Sequence, residues 1–414
     1  MKKGVVVGAL VYALTVITWL LSRSEGDLPL GYRVAQLIGA LALTGFAGSF
    51  LISTRHRVID DLFGGLDKAY VVHKWIGLSS VALAIVHIAT LGLGGGEHDR
   101  AAPWARLPEL GAPAMFLFVA LGVTAVVARR LTYETWKSIH RFMPLPYVVG
   151  LIHYYGTSSF DPLGVSPFSL WMDLVTVAGL AAAVYSVFLY ERIGFPHHYR
   201  VTGLRPVAAD TVELTGRPVG RPLTYRPGQF TFLKFPPRRP VFPSHPFTLS
   251  AAPQPDSLQF TIKASGDHTR RLPDSITLGD TFAVSAAHGR FDYTRGAHQQ
   301  VWIAGGVGIT PFRSFYLSPI GDEYSIDFFY AYHGPAGAYL DELRALSRPN
   351  LRVHLMDDTV EGYLTAHHIE QCVAGPVEIY FCGPVGLRQS LRGQLKASSV
   401  QVRGFHYERF GFGR

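Results

Sequence analysis

The pattern of apolar and polar positions divides the 414-residue chain near Tyr190. Before that point six windows contain no Asp, Glu, Lys or Arg: Gly4 to Ser22, Val34 to Thr54, Trp75 to Gly96, Gly111 to Ala128, Phe142 to Phe160 and Leu174 to Tyr190. Each has roughly the 17 to 25 residues that cross about 30 Å of hydrocarbon, so residues 1–195 are predicted to form six transmembrane helices. A cleaved signal peptide is the rival reading of the first window, which follows Lys2 and Lys3. That window is longer than an h-region of about 7 to 15 residues, and no small-residue cleavage site follows it.

Beyond Tyr199 the pattern changes to short β-type runs punctuated by Gly and Pro: VELTG, GQFTFLKF, HPFTLSA, LQFTIKASG and DTFAVSAA. These predict a small antiparallel barrel over residues 196–297. From Gln300 strands alternate with helices: VWIAGG then TPFRSFYL, YSIDFFYAYH then AYLDELRAL, LRVHLMDD, and VEIYFCGP then VGLRQSLRGQL. Residues 298–414 are therefore predicted to form a doubly wound α/β domain.

The net charge of +8 raises nucleic acid as a partner. Its location argues otherwise. Lys2, Lys3, Arg55, Arg57, Lys68, Lys74, Arg129, Arg130, Lys137 and Arg141 all fall on one side of an even-helix topology, against Arg23, Arg33, Arg100 and Arg106 on the other. The basic side is the cytoplasm, which places the N-terminus and the soluble half there and makes a lipid bilayer, not nucleic acid, the partner. The two cysteines, Cys372 and Cys382, lie in that cytoplasmic half and imply no disulfide framework.

Of 17 histidines, four fall in the apolar half at matched places: His73 and His87 in the third helix, His140 and His153 in the fifth. An ionisable ring in lipid is costly unless it faces the bundle and has a partner. Both separations, fourteen and thirteen residues, correspond to roughly 20 Å of rise. The third and fifth helices run parallel, so His73 is level with His140 and His87 with His153. Two imidazoles at each level suit a haem iron, which predicts two stacked haems in the bundle. Hydrogen-bonded core histidines or a proton relay would need no such pairing. Rotation is less regular: thirteen residues leave His153 about 140° from His140 on an ideal helix, so a distortion is expected at Pro144 and Pro146. Lys74 and Arg141 follow the inner histidines and suit either propionates or simple positive-inside anchoring.

In the soluble half, Gly305-Gly306-Val307-Gly308-Ile309-Thr310-Pro311 ends one strand and opens a helix, a place that favours phosphate. Cys382-Gly383-Pro384 ends another. With HPFTLS at 245–250 and SGDHT at 265–269, these motifs stand in the order of the ferredoxin-NADP reductase module. Joined to six helices with paired histidines, the chain resembles the NADPH oxidase and ferric reductase superfamily, and within it the bacterial NADPH oxidases. The implied architecture is a six-helix transmembrane haem-binding bundle followed by an antiparallel β-barrel FAD domain and an α/β nucleotide-binding domain.

Carried over by position, the resemblance implies that His245, Pro246, Phe247, Thr248, Lys263, Ser265, Gly266, His268 and Thr269 bind FAD, with Thr248 near the reactive face. Gly305, Gly306, Gly308, Thr310, Pro311, His333, Cys382, Gly383 and Pro384 would bind NAD(P)H. Phe410, or Phe412 as a second candidate, would stack on the flavin, and Thr248, Cys382 and Phe410 would be the catalytic set. His333 stands where NADPH users often place an arginine for the 2′-phosphate, so NADH is expected to serve as well. The implied activity is transfer of electrons from NAD(P)H through FAD and two b-type haems to molecular oxygen, forming superoxide. Ferric iron is the alternative acceptor, and a permease or proton channel with a regulatory nucleotide domain is a third reading. No EF-hand pattern or long polar tail is visible, so no obligatory protein partner is expected.

Overall fold

The computed structural model describes residues 2–22, 29–93, 107–126, 131, 133–157, 164–235 and 244–408. The chain forms two compact units, the first ending at Ile193 and the second running from Gly194 to Phe410.

The first unit is helical: α1 (Lys2–Leu21), α2 (Leu30–Ser53), α3 (Arg57–Phe63), α4 (Leu66–Leu93), α5 (Gly111–Val126), α6 (Tyr133–His140), α7 (Pro144–Thr157), α8 (Pro167–Val184) and α9 (Tyr190–Ile193). Among the described residues, four stretches are long and apolar enough to cross a membrane: Lys3–Leu21, Leu30–Ser53, Leu66–Leu91 and Pro167–Ile193. The other two predicted spans are shorter. The window 111–128 is described to Val126, and the window 142–160 begins its helix only at Pro144 and is described to Thr157. Helix α2 is the buried centre of the unit and packs mainly on α4 and α8. Ala35, Ala40, Ala42, Gly45 and Ala47 on α2 are all buried, and such small residues let helix backbones approach closely in lipid. Leu10, Leu20, Phe116 and Leu174 point outward.

Pro144 and Pro146 break the predicted fifth helix in two. Lacking N–H groups, they withdraw the bonds that the carbonyls of His140 and Phe142 would receive four residues on. Met143 N–H donates to His140 O at 3.1 Å and Leu145 N–H to Phe142 O at 2.9 Å instead, three residues back. A turn closed this way advances about 120° per residue instead of about 100°, so five residues add roughly 100°. That brings thirteen residues to the rotation of fourteen on a regular helix.

The second unit holds two sheets. The first comprises β1 (His197–Ala208), β2 (Thr211–Pro218), β3 (Phe230–Lys234), β4 (His245–Thr248), β5 (Leu258–Lys263) and β6 (Thr281–Val284), with α10 (Asp267–Ser275) between the last two. Its order is β4-β3-β6-β1-β2-β5, antiparallel throughout. Its edges meet only at the bridge between Leu249 and Phe260, so among the described residues the expected barrel is a sheet whose edges touch without forming a full ladder. Strand β1 was not predicted, because bulges at Val201/Gly203 and Pro206/Ala208 interrupt its alternation. Tyr199, Phe260 and Phe282 fill its core.

The second sheet comprises β7 (Gln299–Gly305), β8 (Ser325–Tyr332), β9 (Leu351–Asp357), β10 (Val377–Cys382) and β11 (Val402–Tyr407), all parallel, in the order β11-β10-β7-β8-β9. The helices α11 (Thr310–Tyr316), α12 (Leu340–Ala345), α13 (Ala366–Glu370) and α14 (Val385–Ala397) connect them. Sequential strands lie on one side of β7 and later ones on the other, so the strand order reverses between β7 and β10. Ligands bind at such a reversal, outside the carboxyl ends of the strands.

Candidate functional site

Both chemically distinctive regions lie where backbone geometry brings distant motifs together. In the helical unit, the ring centres of His73 and His140 lie 6.2 Å apart at 72°, and those of His87 and His153 lie 6.2 Å apart at 74°. A metal–nitrogen bond of about 2.0 Å to each ring, plus roughly 1.1 Å from nitrogen to ring centre, gives about 6.2 Å. The donor set therefore fits one metal ion between the rings at each level. His73 Nδ1 donates to Ser49 O at 3.0 Å and His87 Nδ1 to Ala35 O at 2.7 Å. A ring whose Nδ1–H is spent on a carbonyl leaves Nε2 free as the ligand atom. The Trp136 ring stacks on His140 at 5.2 Å. His140 Nδ1 is buried without a hydrogen-bond partner among the described residues.

The outer pair opens on an apolar cavity of about 290 Å³, lined among others by Gly39, Phe46, Gly111, Phe118 and Gly150. Two of these glycines face the rings. A Cβ on Gly39 would stand 3.1 Å from His87 Nδ1, and one on Gly111 2.9 Å from His153 Cε1. None of these supports was predicted. The carbonyls carry no residue identity, and the glycines look like ordinary helix-packing positions.

In the second unit, His245, Pro246, Phe247 and Thr248 form β4. The Thr248 hydroxyl is buried and has no hydrogen-bond partner among the described residues. A buried hydroxyl without a partner is destabilising by itself, so this one has a bond to offer a ligand or a water. Thr269 Oγ1 accepts from the N–H groups of Ser265 at 3.1 Å and Gly266 at 2.9 Å, folding SGDHT around the start of α10, a helix the sequence had not suggested. The His268 and Phe410 side chains, and Phe412, lie outside the described residues. Lys263 pairs with Asp210 at 3.3 Å.

The two glycine-containing motifs of the α/β half, Gly305 to Pro311 and Cys382 to Pro384, meet at the reversal. Cys382 pairs with Ala304 across β10 and β7, and a Cβ on Gly308 would stand 2.2 Å from Cys382 O. One on Gly383 would stand 2.9 Å from Gly305 N. Glycine is thus the residue that lets these strand ends close on each other, while Gly306, at φ +54°, turns the chain toward Thr310 and Pro311 at the head of α11. Burial, with the Glu408 carboxylate adding to it, pushes the Cys382 thiol well above the usual range and keeps it protonated. Pro384 caps α14 beside it. His333 lies at the end of β8, exposed, with Nδ1 2.6 Å from an oxygen of Asp358.

Asp327, His354 and Cys372 also bring metal-ligating atoms within 4.8 Å of one another. Arg352 already holds both Asp327 oxygens, at 2.8 and 2.6 Å, and His354 Nε2 lies at 2.9 Å. A guanidinium in that position opposes a metal cation, so the group reads as a tie between β8 and β9.

Residues 38–151 match the family described as "Ferric reductase like transmembrane component", and residues 198–294 match "FAD-binding domain". The chain thus carries a ferric-reductase-like transmembrane domain ahead of an FAD-binding domain, which makes it a multi-pass membrane protein. Among curated proteins, it is 27% identical over 208 residues to a flavohemoprotein of Deinococcus radiodurans, covering 45% of this chain and 52% of that one. It is 29% identical over 200 residues to the ferredoxin reductase component of 3-ketosteroid-9-alpha-monooxygenase of Mycobacterium tuberculosis, covering 46% and 56%. The chain therefore spans about half the length of these relatives. A solved flavohemoglobin from Malassezia yamatoensis, with FAD and haem bound, aligns at a TM-score of 0.51 and 14% identity, over 92% of this chain and 98% of that one. At that identity the likeness is one of fold.

Proposed function

We propose that this protein carries electrons from cytoplasmic NAD(P)H through FAD and two b-type haems across the plasma membrane to molecular oxygen, releasing superoxide. The observation that carries the reading is the shared geometry of the two histidine pairs, each with ring centres 6.2 Å apart. FAD and haem, when bound, supply the change from a two-electron donor to one-electron carriers. His73 and His140 would hold the inner iron, and His87 and His153 the outer. Two of the chain's own imidazoles would hold each iron, which would favour one-electron transfer and superoxide over bound-oxygen chemistry. The carbonyls of Ser49 and Ala35 fix the ligating tautomer of their rings.

The second unit binds and orients the donor. The Thr248 hydroxyl would meet a ligand acceptor, the start of α10 would face the pyrophosphate with the N–H groups of Ser265 and Gly266 held by Thr269 Oγ1, and Phe410 would stack on the flavin. Gly305 to Pro311 and Cys382 to Pro384 form the nicotinamide cradle, with Cys382 acting as a neutral thiol. Reduction of ferric iron by the same path is a second reading, favoured by the family match over residues 38–151.

The test is anaerobic reduction of the purified full chain with NADH and with NADPH, followed optically, then exposure to oxygen or to a ferric chelate. Flavin bleaching, haem reduction and superoxide-dismutase-sensitive signal on re-oxidation are expected. A preparation without a Soret band refutes both readings, while ferric reduction without superoxide selects the second.

A further inference from the structure

One side chain connects the flavin motif to the nicotinamide motif. Arg313 lies on α11, two residues after Pro311, and its side chain is 6% exposed. Nε and Nη2 donate to the Glu342 carboxylate at 3.0 and 2.9 Å. Nη1 reaches the other half of the unit: Ser250 O at 3.1 Å, Gln259 Oε1 at 3.0 Å and Glu213 Oε2 at 3.2 Å. Ser250 closes the HPFTLS segment two residues beyond Thr248, while Gln259 lies on β5 and Glu213 on β2. The guanidinium thus links the backbone that carries Thr248 to the helix that begins at Thr310.

A second, independent observation marks the same place. Tyr339, one of two non-glycine residues with positive φ among the described residues, sits at +61° directly before α12. Its ring lies 4.2 Å from the Arg313 guanidinium, and its hydroxyl donates to Glu213 Oε2 at 3.0 Å and lies 2.7 Å from Thr261 Oγ1. A non-glycine residue in that conformation is strained and persists only where its surroundings impose it. Arg205 completes the charge balance by pairing with Glu213 at 3.2 Å, so two arginines face two glutamates. Ser314, the next residue on α11, accepts from Gly228 N–H at 2.8 Å and ties the same helix to the turn that leads into β3.

We propose that Arg313, braced by Tyr339, is a positioning residue that fixes the spacing between the flavin-binding strand β4 and the nicotinamide-binding helix α11. The inference rests on the reading of this unit as an NAD(P)H-to-FAD electron-transfer module. In that reaction a hydride carries both electrons from the dihydronicotinamide to the flavin, and a solvent proton completes the reduced ring. Hydride transfer is sensitive to misplacement of about 1 Å, whereas ground-state binding of either nucleotide is not. Arg313 touches neither nucleotide, so its effect falls on the transfer rate.

The test uses the full chain with Arg313→Lys, Tyr339→Phe and, as a control, Arg352→Lys, which loosens the ion pair with Asp327 in the parallel sheet, away from this network. Arg313→Lys keeps the charge but loses the planar fork, and Tyr339→Phe keeps the ring beside the guanidinium while removing the hydroxyl's ties to Glu213 and Thr261, so it reports even if the lysine variant folds poorly. One readout is amide exchange of segments 248–251 and 310–316 without added nucleotide. The other is flavin reduction by NADH per bound FAD, with its KM. Expected are at least tenfold faster exchange and at least tenfold slower reduction in both interface variants, with KM within twofold of the parent and the control unchanged. Reduction per flavin within twofold of the parent in Tyr339→Phe and in any Arg313→Lys protein that folds overturns the proposal. An unsubstituted chain whose flavin NADH and NADPH fail to reduce sinks the underlying reading instead.

Discussion

Gly111 on α5 is the most direct test of the outer histidine pair. A Cβ placed there meets His153 Cε1 at 2.9 Å, Nε2 at 3.1 Å and Nδ1 at 3.2 Å, where ordinary contact begins at 3.4 Å. Gly111→Ala therefore displaces the imidazole by roughly 0.5 Å, an overpacking that costs about 1–3 kcal/mol. A metal–ligand distance tolerates about 0.2 Å. Pushed toward His87, the rings close below two metal–nitrogen bonds, and pushed away they open past them. His87 has little freedom to compensate, with Nδ1 held by Ala35 O at 2.7 Å and Gly39 packed behind it. The inner pair is untouched, so haem content should fall from two per chain to one. Pyridine haemochrome per protein in detergent measures this, with Gly48→Ala as control because nothing lies within 4 Å of its Cβ. Flavin reduction should persist while electron delivery to oxygen falls at least tenfold. Two haems per chain with an unaltered spectrum in Gly111→Ala would refute the assignment of the outer pair.

Other perturbations address the second unit. Thr248→Val removes a buried hydroxyl that has no partner without ligand, so thermal stability of the flavin-free protein should hold or rise while FAD affinity falls by about 1 kcal/mol, roughly fivefold, in a fluorescence titration. If His333 takes the 2′-phosphate position as proposed, the Asp358 carboxylate 2.6 Å from it would put negative charge there. The parent's kcat/KM preference for NADPH should therefore stay below about a hundredfold, ~2.7 kcal/mol, and His333→Arg with Asp358→Ser should raise it at least tenfold. Asp327 is buried, which alone raises its pKa, but Arg352 and His354 outweigh this and hold the carboxyl below its ordinary value. A depressed folded pKa stabilises fully above about pH 4 and is lost as pH falls through the folded value. Asp327→Asn should thus cost about 2 kcal/mol at pH 7 and progressively less below pH 4, read as thermal unfolding of both proteins across that range.

How much of this was legible in the chain depended on whether the chemistry resided in side chains or in backbone. Four of the five strands of the parallel sheet were readable because each ends in a turn motif of its own, whereas the edge strand β11, which ends in none, was not read. Strand β1 was hidden by its bulges, and the Arg313 network was hidden because Glu213, Gln259 and Glu342 are each unremarkable polar residues until three elements converge. In the helical unit the histidines announced themselves, yet what orients two of them did not.

The reason lies in α2. Its partners for His87 and His73 are the carbonyls of Ala35 and Ser49, fourteen residues apart, the same interval that separates the two histidines on α4. Two helices that keep one face toward each other over that distance present backbone to imidazole at both levels by the same geometry. A helical carbonyl already accepts one N–H and has a second lone pair to offer, so no polar side chain is required. The requirement is proximity, and proximity selects small residues: Ala35, Gly39, Ala42, Gly45 and Ser49 all lie on α2, and a Cβ on Gly39 would already crowd His87. The sequence signal of the carbonyls that orient these rings is therefore a stripe of small residues on the helix opposite the histidines, spaced as they are. The fifth predicted span meets the same demand by another route, where prolines overwind one turn so that thirteen residues do the work of fourteen.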